Sequence, residues 1–263
     1  MQAIVVIPTY NERESLVQVV DKVWQCANDL HILIVDDNSP DGTGEIAEDL
    51  SRKYPGKLFV LHRERKEGLG RAYVDGFSHV LKKDYDVILQ MDADLSHDPS
   101  YLPVFLEQIR DCDLVLGSRY LHGIRIMNWD FKRLMLSKLA TMYVQFITRM
   151  PFTDTTSGFK CWRRETLESV GVEEAFSNGY LFQIETTYKT YNKKLKIVEI
   201  PITFFDRSNG HSKMNWNIVL EALWGVLRLR LITFFDRSNG HSKMNRNIVL
   251  EALWGVLRLR LRN

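Results

Sequence analysis

Two carboxylates with the spacing of a metal site follow an apolar run near the middle of the chain. Asp92 and Asp94 come after residues 87–91, a run that contains a single polar side chain. Side chains two residues apart on an extended chain point the same way, so both carboxylates can project from one strand end. Mg²⁺ is commonly held by one or two carboxylates together with substrate phosphates. The pair therefore indicates a divalent-cation site, although a solvated turn closed by Asp98 and Pro99 has the same composition.

Polar clusters also follow three other apolar runs. Residues 8–12 read Pro-Thr-Tyr-Asn-Glu, residues 35–39 read Val-Asp-Asp-Asn-Ser, and residues 117–119 read Gly-Ser-Arg. Tyr10 can stack on a base or a ribose, and Asp37 can accept a hydrogen bond from a base or a sugar. Because all of these clusters stand at the ends of strand-like runs, the sequence predicts one binding site built from several loops.

Each of these residues also has a purely structural interpretation. Glu12 can be a charge in the first turn of a helix, Asp37 can form an Asx turn, and Arg119 can belong to a surface ion pair. Asp154, which precedes Thr-Thr-Ser-Gly, can order a loop or merely cap it. Three histidines are predicted to be polar surface or loop residues, namely His97, His122 and His211.

The elements that must position these residues alternate between strands and helices. Apolar runs predict strands at residues 3–8, 32–36, 58–61, 87–91 and 195–201, and helical periodicity predicts helices at 12–26, 70–81 and 131–150, with another ending at 50. Asn11 is the natural N-cap of the first helix. Alternating strands and helices predict an α/β fold with parallel strands, in which ligands bind beyond the carboxyl ends of the strands.

Composition limits the classes of protein that fit. The 263 residues suit one large α/β domain, and 45% hydrophobic residues, 26% charged residues and a net charge of +2 argue against disorder and against nucleic-acid binding through bulk charge. Cys26, Cys112 and Cys161 are odd in number and lack metal-site spacing, which favours a reduced, cytosolic setting.

Common leader and cofactor motifs are not found. The chain opens on a strand-like run without the features of a signal peptide, and no apolar stretch reaches the ~20 residues of a spanning helix. The glycines Gly68 and Gly70 follow the third predicted strand without the third glycine of a dinucleotide-binding fingerprint, and no Walker A loop occurs. We therefore do not expect a dehydrogenase or a P-loop enzyme.

In combination, seven segments resemble family 2 glycosyltransferases, and more narrowly the dolichol-phosphate (polyprenol-phosphate) mannosyltransferases. The segments lie within about residues 3–231 and read IVVIPTYNE, ILIVDDNSPDGT, ILQMDADLSH, LVLGSRY, DTTSGFKCWRRE, GYLFQIE and IPITFFDRSNGHSKM. The resemblance implies a GT-A fold, with a Rossmann-like, mostly parallel sheet flanked by helices and a C-terminal amphipathic helix. It also implies metal-dependent, inverting transfer of mannose from GDP-mannose to a dolichyl or polyprenyl phosphate.

The resemblance also implies roles for individual residues. Its donor site maps onto Pro8, Tyr10, Glu12, Val35, Asp37, Asp92, Ala93, Asp94, Arg119, Arg207 and Lys213. Its metal ligands, for Mg²⁺ or Mn²⁺, map onto Asp94 and Ser96, with Asp92 close by. Some relatives carry an amide where this chain has Ser96, and a neutral hydroxyl is a weak ligand that can act through water.

The chemistry of such a transfer agrees with these residue types. Negative charge develops on the departing diphosphate, where a metal and the cations Arg119, Arg207 and Lys213 could stabilise it. A phosphate monoester has a second pKa near ~6 and is mostly dianionic at neutral pH, so it can attack without a strong general base. No catalytic histidine is needed. Arg133, with Ser137 one helical turn later, could meet the acceptor phosphate.

Two segments could contact a membrane that holds the acceptor. The predicted helix 131–150 alternates apolar and basic residues, as in a helix at a membrane surface, but a core-facing helix with a solvated basic side fits equally. Residues 217–231 are nearly all apolar and too short to span, and they too could lie in the interface or in the core. We therefore expect a peripheral protein on the cytoplasmic face of a membrane, the endoplasmic reticulum in a eukaryote. Members of the family that the chain resembles often continue into transmembrane helices or use a small membrane-anchoring subunit.

The C-terminal part contains a tandem duplication. Residues 202–231 and 232–261 are identical except that Trp216 becomes Arg246. Because only the first copy follows the strand 195–201, we assign the functional roles to its Arg207 and Lys213. This predicts a catalytic domain at 1–231 and an appendage at 232–263, although the two copies could also exchange between packings.

Two other functions share most of these motifs. A UDP-glucose:polyprenyl-phosphate glucosyltransferase would differ chiefly in its donor. A non-catalytic protein that binds sugar nucleotides would keep the acidic strand ends, although the combination of Asp94, Arg119 and Arg207 weighs against it.

Overall fold

The computed structural model describes residues 1–175, 177, 179–206 and 223–232. Two predicted site residues, Arg207 and Lys213, lie outside the described residues, as does the second repeat copy from residue 233 onward. The division into a catalytic domain and an appendage therefore stays a prediction.

A seven-stranded sheet forms the centre of the molecule, in the order β3-β2-β1-β4-β7-β5-β8. Its strands are β1 (Ala3–Thr9), β2 (His31–Asp36), β3 (Leu58–His62), β4 (Val87–Gln90), β5 (Leu114–Ser118), β7 (Lys160–Arg163) and β8 (Ile197–Pro201), while β6 (Ile126–Met127) and β9 (Phe204–Phe205) form a separate pair. All pairings in the large sheet are parallel except those of β7, which runs antiparallel to β4 and β5. The prediction of a mostly parallel sheet is confirmed.

Helices cover both faces of the sheet. They are α1 (Leu16–Cys26), α2 (Thr43–Lys53), α3 (Leu69–Val80), α4 (Leu102–Gln108), α5 (Phe131–Thr148), α6 (Arg164–Val170), α7 (Gly179–Asn192) and α8, formed by residues 223–232. None of the helices in the described ranges is long and apolar enough to span a membrane.

Alternation along the strands divides the core into two layers. In β1, Ile4 and Val6 pack with Phe77 of α3, whereas Val5 and Ile7 pack with Leu16 of α1 on the opposite face. Every residue of β1 is buried. Such strands appear in the sequence as continuous apolar runs, which is why their positions could be predicted.

The first helix begins later than the sequence predicts. Its first residue is Leu16 and Ser15 occupies the N-cap position, so the prediction that Asn11 caps this helix is wrong. Asn11 instead has a positive φ of 60°. The backbone N–H of Asn11 donates to Ser39 Oγ (3.1 Å), and the backbone N–H of Glu12 donates to Thr43 Oγ1 (2.9 Å). These long-range bonds hold the segment in a turn against the β2–α2 loop.

The C-terminal helix α8 packs against the body of the protein. Val226 and Leu229 are buried in the core, and a Cβ on Gly225 would lie 2.1 Å from Leu181 Cδ2. The Tyr143 hydroxyl donates to the Leu223 carbonyl (2.8 Å). Of the two interpretations of residues 217–231, core packing therefore applies to the part that the structure describes.

Candidate active site

The carboxyl ends of the parallel strands bring the predicted donor residues together. Pro8 and Val35 are register partners in β1 and β2, and both are buried. The amide of Asp37 donates to Thr9 O (3.0 Å), which ties the two strand ends to each other. The backbone amide of Met91 donates to Val6 O (3.2 Å), so the chain that leads to Asp92 still runs alongside β1.

Asp37 is held by a buried arginine that sequence reasoning missed. Arg63 donates to Asp37 through Nη1, to Asp75 through Nε (2.6 Å) and to Glu67 through Nη2 (3.0 Å). Burial raises the pKa of the Asp37 carboxyl above its ordinary value, and the Arg63 charge partly offsets this rise. Three carboxylates thus fix the guanidinium of Arg63, and Arg63 in turn fixes the orientation of Asp37.

Tyr10 and Glu12 flank this region. The Lys66 ammonium lies 3.6 Å from the centroid of the Tyr10 ring, a cation–π contact on the ring that we expect to meet a base or ribose. Glu12 precedes α1 instead of lying in its first turn, and its Oε2 accepts from Ser15 Oγ (2.9 Å).

The central carboxylates follow β4 on a tight loop. Tyr73 Oη donates to Asp92 Oδ1 (3.2 Å), and the amide of Ser96 donates to Asp94 Oδ1 (3.0 Å). Between Asp94 and Ser96, Leu95 adopts a positive φ of 62°, which is uncommon for a residue other than glycine. Asp92 and Asp94 are both half-buried, and Ala93 between them is buried.

The oxygen atoms of Asp92, Asp94 and Ser96 are suitable ligands for Mg²⁺ or Mn²⁺ bound together with phosphates. The hydroxyl oxygen of Ser96 is buried and has no hydrogen-bond partner among the described residues, which is unusual for a polar atom. Two half-buried carboxylates lie within four residues of it. Described His, Cys, Asp and Glu side chains form no cluster of three that could hold a metal, so substrate oxygens or water would have to complete the coordination.

His97 is not the surface residue that the sequence predicts. It is 3% exposed, stacks on Phe159 at 4.9 Å between ring centroids, and accepts from the amide of Asp92 at Nδ1 (3.1 Å). Burial lowers the pKa of His97, although the charges of Asp92 and Asp94 partly offset this effect, so the ring is neutral at pH 7. Because Nδ1 accepts a hydrogen bond, Nε2 carries the proton of the neutral ring. The imidazole therefore holds the backbone of the carboxylate loop at Asp92 through a hydrogen bond.

Arg119 forms a buried ion pair with Asp154. Its Nε and Nη2 donate to the two carboxylate oxygens (2.6 and 2.7 Å), and its own amide donates to the same carboxylate (3.1 Å). Burial alone would raise the pKa of Asp154, but the charge and hydrogen bonds of Arg119 outweigh it and hold the pKa below its ordinary value. The pair is thus an ion pair of the interior, and Asp154 orders the loop that follows β5.

Cations cluster where α5 meets the end of β5. The guanidinium carbons of Arg119 and Arg133 lie 5.6 and 4.2 Å from the centroid of the Trp129 ring, and Lys138 Nζ lies 3.7 Å from that of Tyr120. Tyr120 Oη donates to Ser137 Oγ (2.6 Å). The predicted phosphate contacts on α5 therefore lie beside Arg119, and Lys138 joins them.

The same helix exposes a row of apolar side chains. The row recurs at helical spacing and consists of Phe131, Met135, Leu139, Met142 and Phe146, the last of them 81% exposed. The core-facing side of α5 carries Thr141, Val144 and Thr148 instead. We call this row the apolar row of α5. An exposed apolar row is what the membrane-surface interpretation of this helix requires.

Comparisons with known proteins give the family of the chain. The model of glycosyl transferase family 2 matches residues 4–171. The chain belongs to this family. Two curated family relatives are 42% identical to the chain, namely the polyprenol monophosphomannose synthase of Mycolicibacterium smegmatis and the undecaprenyl-phosphate mannosyltransferase of Micrococcus luteus. The alignments cover 86% and 87% of this chain and 87% and 93% of those proteins.

Solved structures of a more distant glucosyltransferase show the same fold. Glucosyl-3-phosphoglycerate synthase from Mycobacterium tuberculosis, in complex with Mn²⁺, UDP-glucose and phosphoglyceric acid, matches with a TM-score of 0.64 at 18% identity, over 88% of this chain and 78% of that one. The predicted GT-A fold is confirmed. The comparisons thus give the family and the fold of the chain.

Proposed function

We propose that this family 2 glycosyltransferase transfers mannose from GDP-mannose to a polyprenyl phosphate, with Mg²⁺ or Mn²⁺ held by Asp92 and Asp94. The observation that carries the proposal is α5, which combines cations beside the strand-end site with an exposed apolar row. A phosphate head and an isoprenoid tail need this combination of surfaces. The names of the two relatives at 42% identity support the same acceptor class.

On the donor side, the chain's residues bind and orient the nucleotide. Tyr10 and the Arg63-fixed Asp37 would contact the nucleoside, and the half-buried Asp92 and Asp94 would hold the metal, with Ser96 directly or through water. When bound, the metal would neutralise charge on the departing diphosphate. Arg207 and Lys213 remain predicted contacts of that diphosphate.

On the acceptor side, the cations bind the nucleophile. Arg133 and Lys138 would position a dianionic phosphate so that one of its oxygens attacks C1 of mannose. The C1–O bond to GDP breaks as the new C1–O bond forms, GDP leaves with the electron pair, and the anomeric configuration inverts. Because the phosphate is already deprotonated, no side chain has to remove a proton. Arg119, paired with Asp154, would hold the loop that faces both substrates.

The apolar row of α5 also supports peripheral attachment to the membrane surface that contains the acceptor. Five side chains at helical spacing would enter the interface while the exposed Lys132 meets anionic head groups. The isoprenoid chain could then remain in the bilayer during transfer.

Transfer of labelled mannose from GDP-mannose to a polyprenyl phosphate in detergent tests the proposal. We expect labelled polyprenyl-phosphate mannose in Mg²⁺ or Mn²⁺ and loss of product in excess EDTA. A parallel reaction with UDP-glucose tests the alternative donor. Product from UDP-glucose alone would replace the donor assignment, and binding without product from either donor would indicate a non-catalytic sugar-nucleotide protein.

A further inference from the structure

The guanidinium of Arg133, a predicted contact of the acceptor phosphate, is already occupied by a carboxylate of the same chain. Its Nη1 donates to both carboxylate oxygens of Asp206, each at 2.8 Å. Asp206 directly follows β9, and its backbone N–H donates to Met127 O (3.2 Å) in β6. The β6–β9 pair therefore holds a carboxylate at the position on α5 where the proposed function requires a phosphate.

This ion pair differs from the interior pair of Arg119 and Asp154. Arg119 donates from Nε and Nη2 to the two oxygens of Asp154, and both side chains are buried. Arg133 uses one nitrogen for both oxygens of Asp206, and the two side chains are 21% and 26% exposed. Such a pair lacks the parallel bonds of a guanidinium fork, and solvent screens its charges. Of the two ion pairs, that of Arg133 and Asp206 is therefore the exchangeable one.

Other contacts hold Arg133 in place when the carboxylate leaves. The guanidinium carbon lies 4.2 Å from the centroid of the Trp129 ring, and this ring packs edge-on against Phe204 at 5.6 Å between centroids. The guanidinium carbon of Arg119 lies 5.6 Å from the same indole ring. These contacts do not involve Asp206. An anionic ligand can thus replace the carboxylate on a cation that is already positioned.

The charge of the ligand decides the outcome of this exchange. The acceptor phosphate is mostly a dianion with three acceptor oxygens, whereas Asp206 carries a single negative charge. After transfer the lipid phosphate is a diester with one charge, so it attracts Arg133 less strongly, while the charge of Asp206 is unchanged. We propose that Asp206 is an internal competitor for Arg133, which the acceptor phosphate displaces and which reoccupies the guanidinium as the mannosylated product leaves. This inference rests on the proposed function for the identity of the acceptor.

Competition of this kind lowers the affinity for every ligand of Arg133 by the same factor. The factor is set by the fraction of molecules in which the guanidinium is not occupied by Asp206. For a partly exposed ion pair we expect a factor of about three to ten. The carboxylate therefore weakens binding of the acceptor, and by the same factor it favours release of the product.

Binding of farnesyl phosphate to the full-length protein in detergent tests the competition, with farnesol as the probe that lacks the phosphate. Asp206→Asn keeps the size of the side chain but removes its charge. We expect this variant to bind farnesyl phosphate about three- to tenfold more tightly than the wild type, with farnesol binding unchanged. A merely structural role of Asp206 would instead weaken binding of the phosphate.

Asp130→Asn is the charge-matched control. It removes a carboxylate at the start of the same helix without freeing the guanidinium, and its amide oxygen can still accept from the Arg133 backbone N–H, as Asp130 Oδ1 does (2.7 Å). It should bind farnesyl phosphate as the wild type does. Equal gains from Asp130→Asn and Asp206→Asn would mean that any nearby negative charge repels the phosphate, and would overturn the proposal.

A double-mutant cycle identifies the group for which Asp206 competes. Arg133→Met keeps an unbranched side chain beside Trp129 but removes the cation. In this background, Asp206→Asn should have no further effect on farnesyl phosphate binding. The same gain with and without Arg133, or no gain in Asp206→Asn alone, would overturn the proposal.

Inhibition of mannose transfer by added polyprenyl-phosphate mannose tests the release step. In Asp206→Asn, inhibition should be about three- to tenfold stronger and KM for the polyprenyl phosphate lower by the same factor, with KM for GDP-mannose unchanged. If transfer proceeds but these constants match the wild type, the proposed function stands and the competitor role is wrong. If neither protein binds farnesyl phosphate more tightly than farnesol, the acceptor assignment fails and the competitor role fails with it.

Discussion

The strand-end side of the active site and the α5 side satisfy their side chains in different ways. At the strand ends, buried cations lie against carboxylates of the same chain, as in the Arg63–Asp37 and Arg119–Asp154 pairs. On α5, the apolar row faces outward and Arg133 is only partly buried against Asp206 (2.8 Å). The first region is organised before any ligand arrives. The second has surface that only a partner can cover.

This difference separates two tasks of one reaction. A rigid polar framework suits stabilisation of charge that develops at a fixed position, because prearranged groups need not reorganise during the reaction. An exposed apolar surface suits a substrate that remains partly in a lipid phase. Substitutions at the strand ends should therefore change chemistry or folding stability, whereas substitutions in the apolar row should change membrane location and contact with the lipid acceptor but not folding stability.

The largest expected effect is at the central carboxylate. Asp94→Asn should lower transfer activity by at least about a hundredfold, because a neutral amide binds the metal poorly while still accepting from the Ser96 amide. Activity and metal titrations measure the effect, and circular dichroism checks the fold. Asp98→Asn, in the same loop, keeps its capping acceptor and should retain activity. Full turnover of Asp94→Asn would contradict the metal assignment.

A second prediction concerns the buried ion pair. Asp154→Asn should lower the free energy of unfolding by about 3–5 kcal/mol, because it leaves the Arg119 charge buried without its partner. Urea denaturation measures this change. The exposed Asp84→Asn should change stability by no more than about 0.5 kcal/mol. Equal stability of the Asp154 variant and the wild type would mean that the pair is not stabilising.

The same pair predicts the sign of a pH effect. The pKa of Asp154 is lower in the folded protein than its ordinary value, so its contribution to stability is fully present above about pH 4 and is lost as the pH falls through the folded pKa. The wild type should therefore lose stability below about pH 4 more steeply than Asp154→Asn. Parallel pH profiles for the two proteins would argue against a depressed pKa.

A third prediction addresses location. Leu139→Glu/Phe146→Glu should reduce binding to liposomes of anionic lipid by at least about tenfold, since two apolar side chains leave the interface, with little change in stability. Val104→Glu, at an exposed apolar position of α4, is the matched control and should float as the wild type does. Val226→Glu, buried on α8, should instead lower the melting temperature. Unchanged flotation of the double variant would remove α5 from the membrane contact.

The smallest effect is expected at Ser96. Ser96→Ala removes an oxygen that has no partner among the described residues, so folding stability in metal-free buffer should change by less than about 0.5 kcal/mol. If the hydroxyl assists metal binding, directly or through water, the metal concentration for half-maximal activity should rise by about three- to tenfold. An unchanged metal titration would exclude Ser96 from the metal site.

Local sequence patterns were enough to predict the strand-end part of this structure. The apolar runs before Pro8, Val35 and Asp92 form buried parallel strands, and their polar ends meet because of that topology. The short strand β7 was missed because Lys160–Arg163 begins and ends with a charged residue. Its position between β4 and β5 arises only in the assembled sheet.

Other features depend on residues far apart in sequence. His97 is buried because Phe159 stacks on it, and Asp154 orders the β5 loop because Arg119 is its partner. Neither neighbour is visible from local composition. Arg63 could have been suspected only as a basic residue close to the end of β3, since nothing in the sequence pairs it with Asp37.

The position of β7 also bears on how this protein is synthesised. Both sheet neighbours of β5 are β7 and β8, which follow it in the chain. A nascent chain that has emerged from the ribosome through Ser118 thus carries β5 without either neighbour, and the apolar row of α5 emerges before Lys160–Arg163 can close the sheet. Unpaired strand edges and exposed apolar surface promote aggregation. Translational pauses between β5 and β7 should consequently engage chaperones more than pauses after β8.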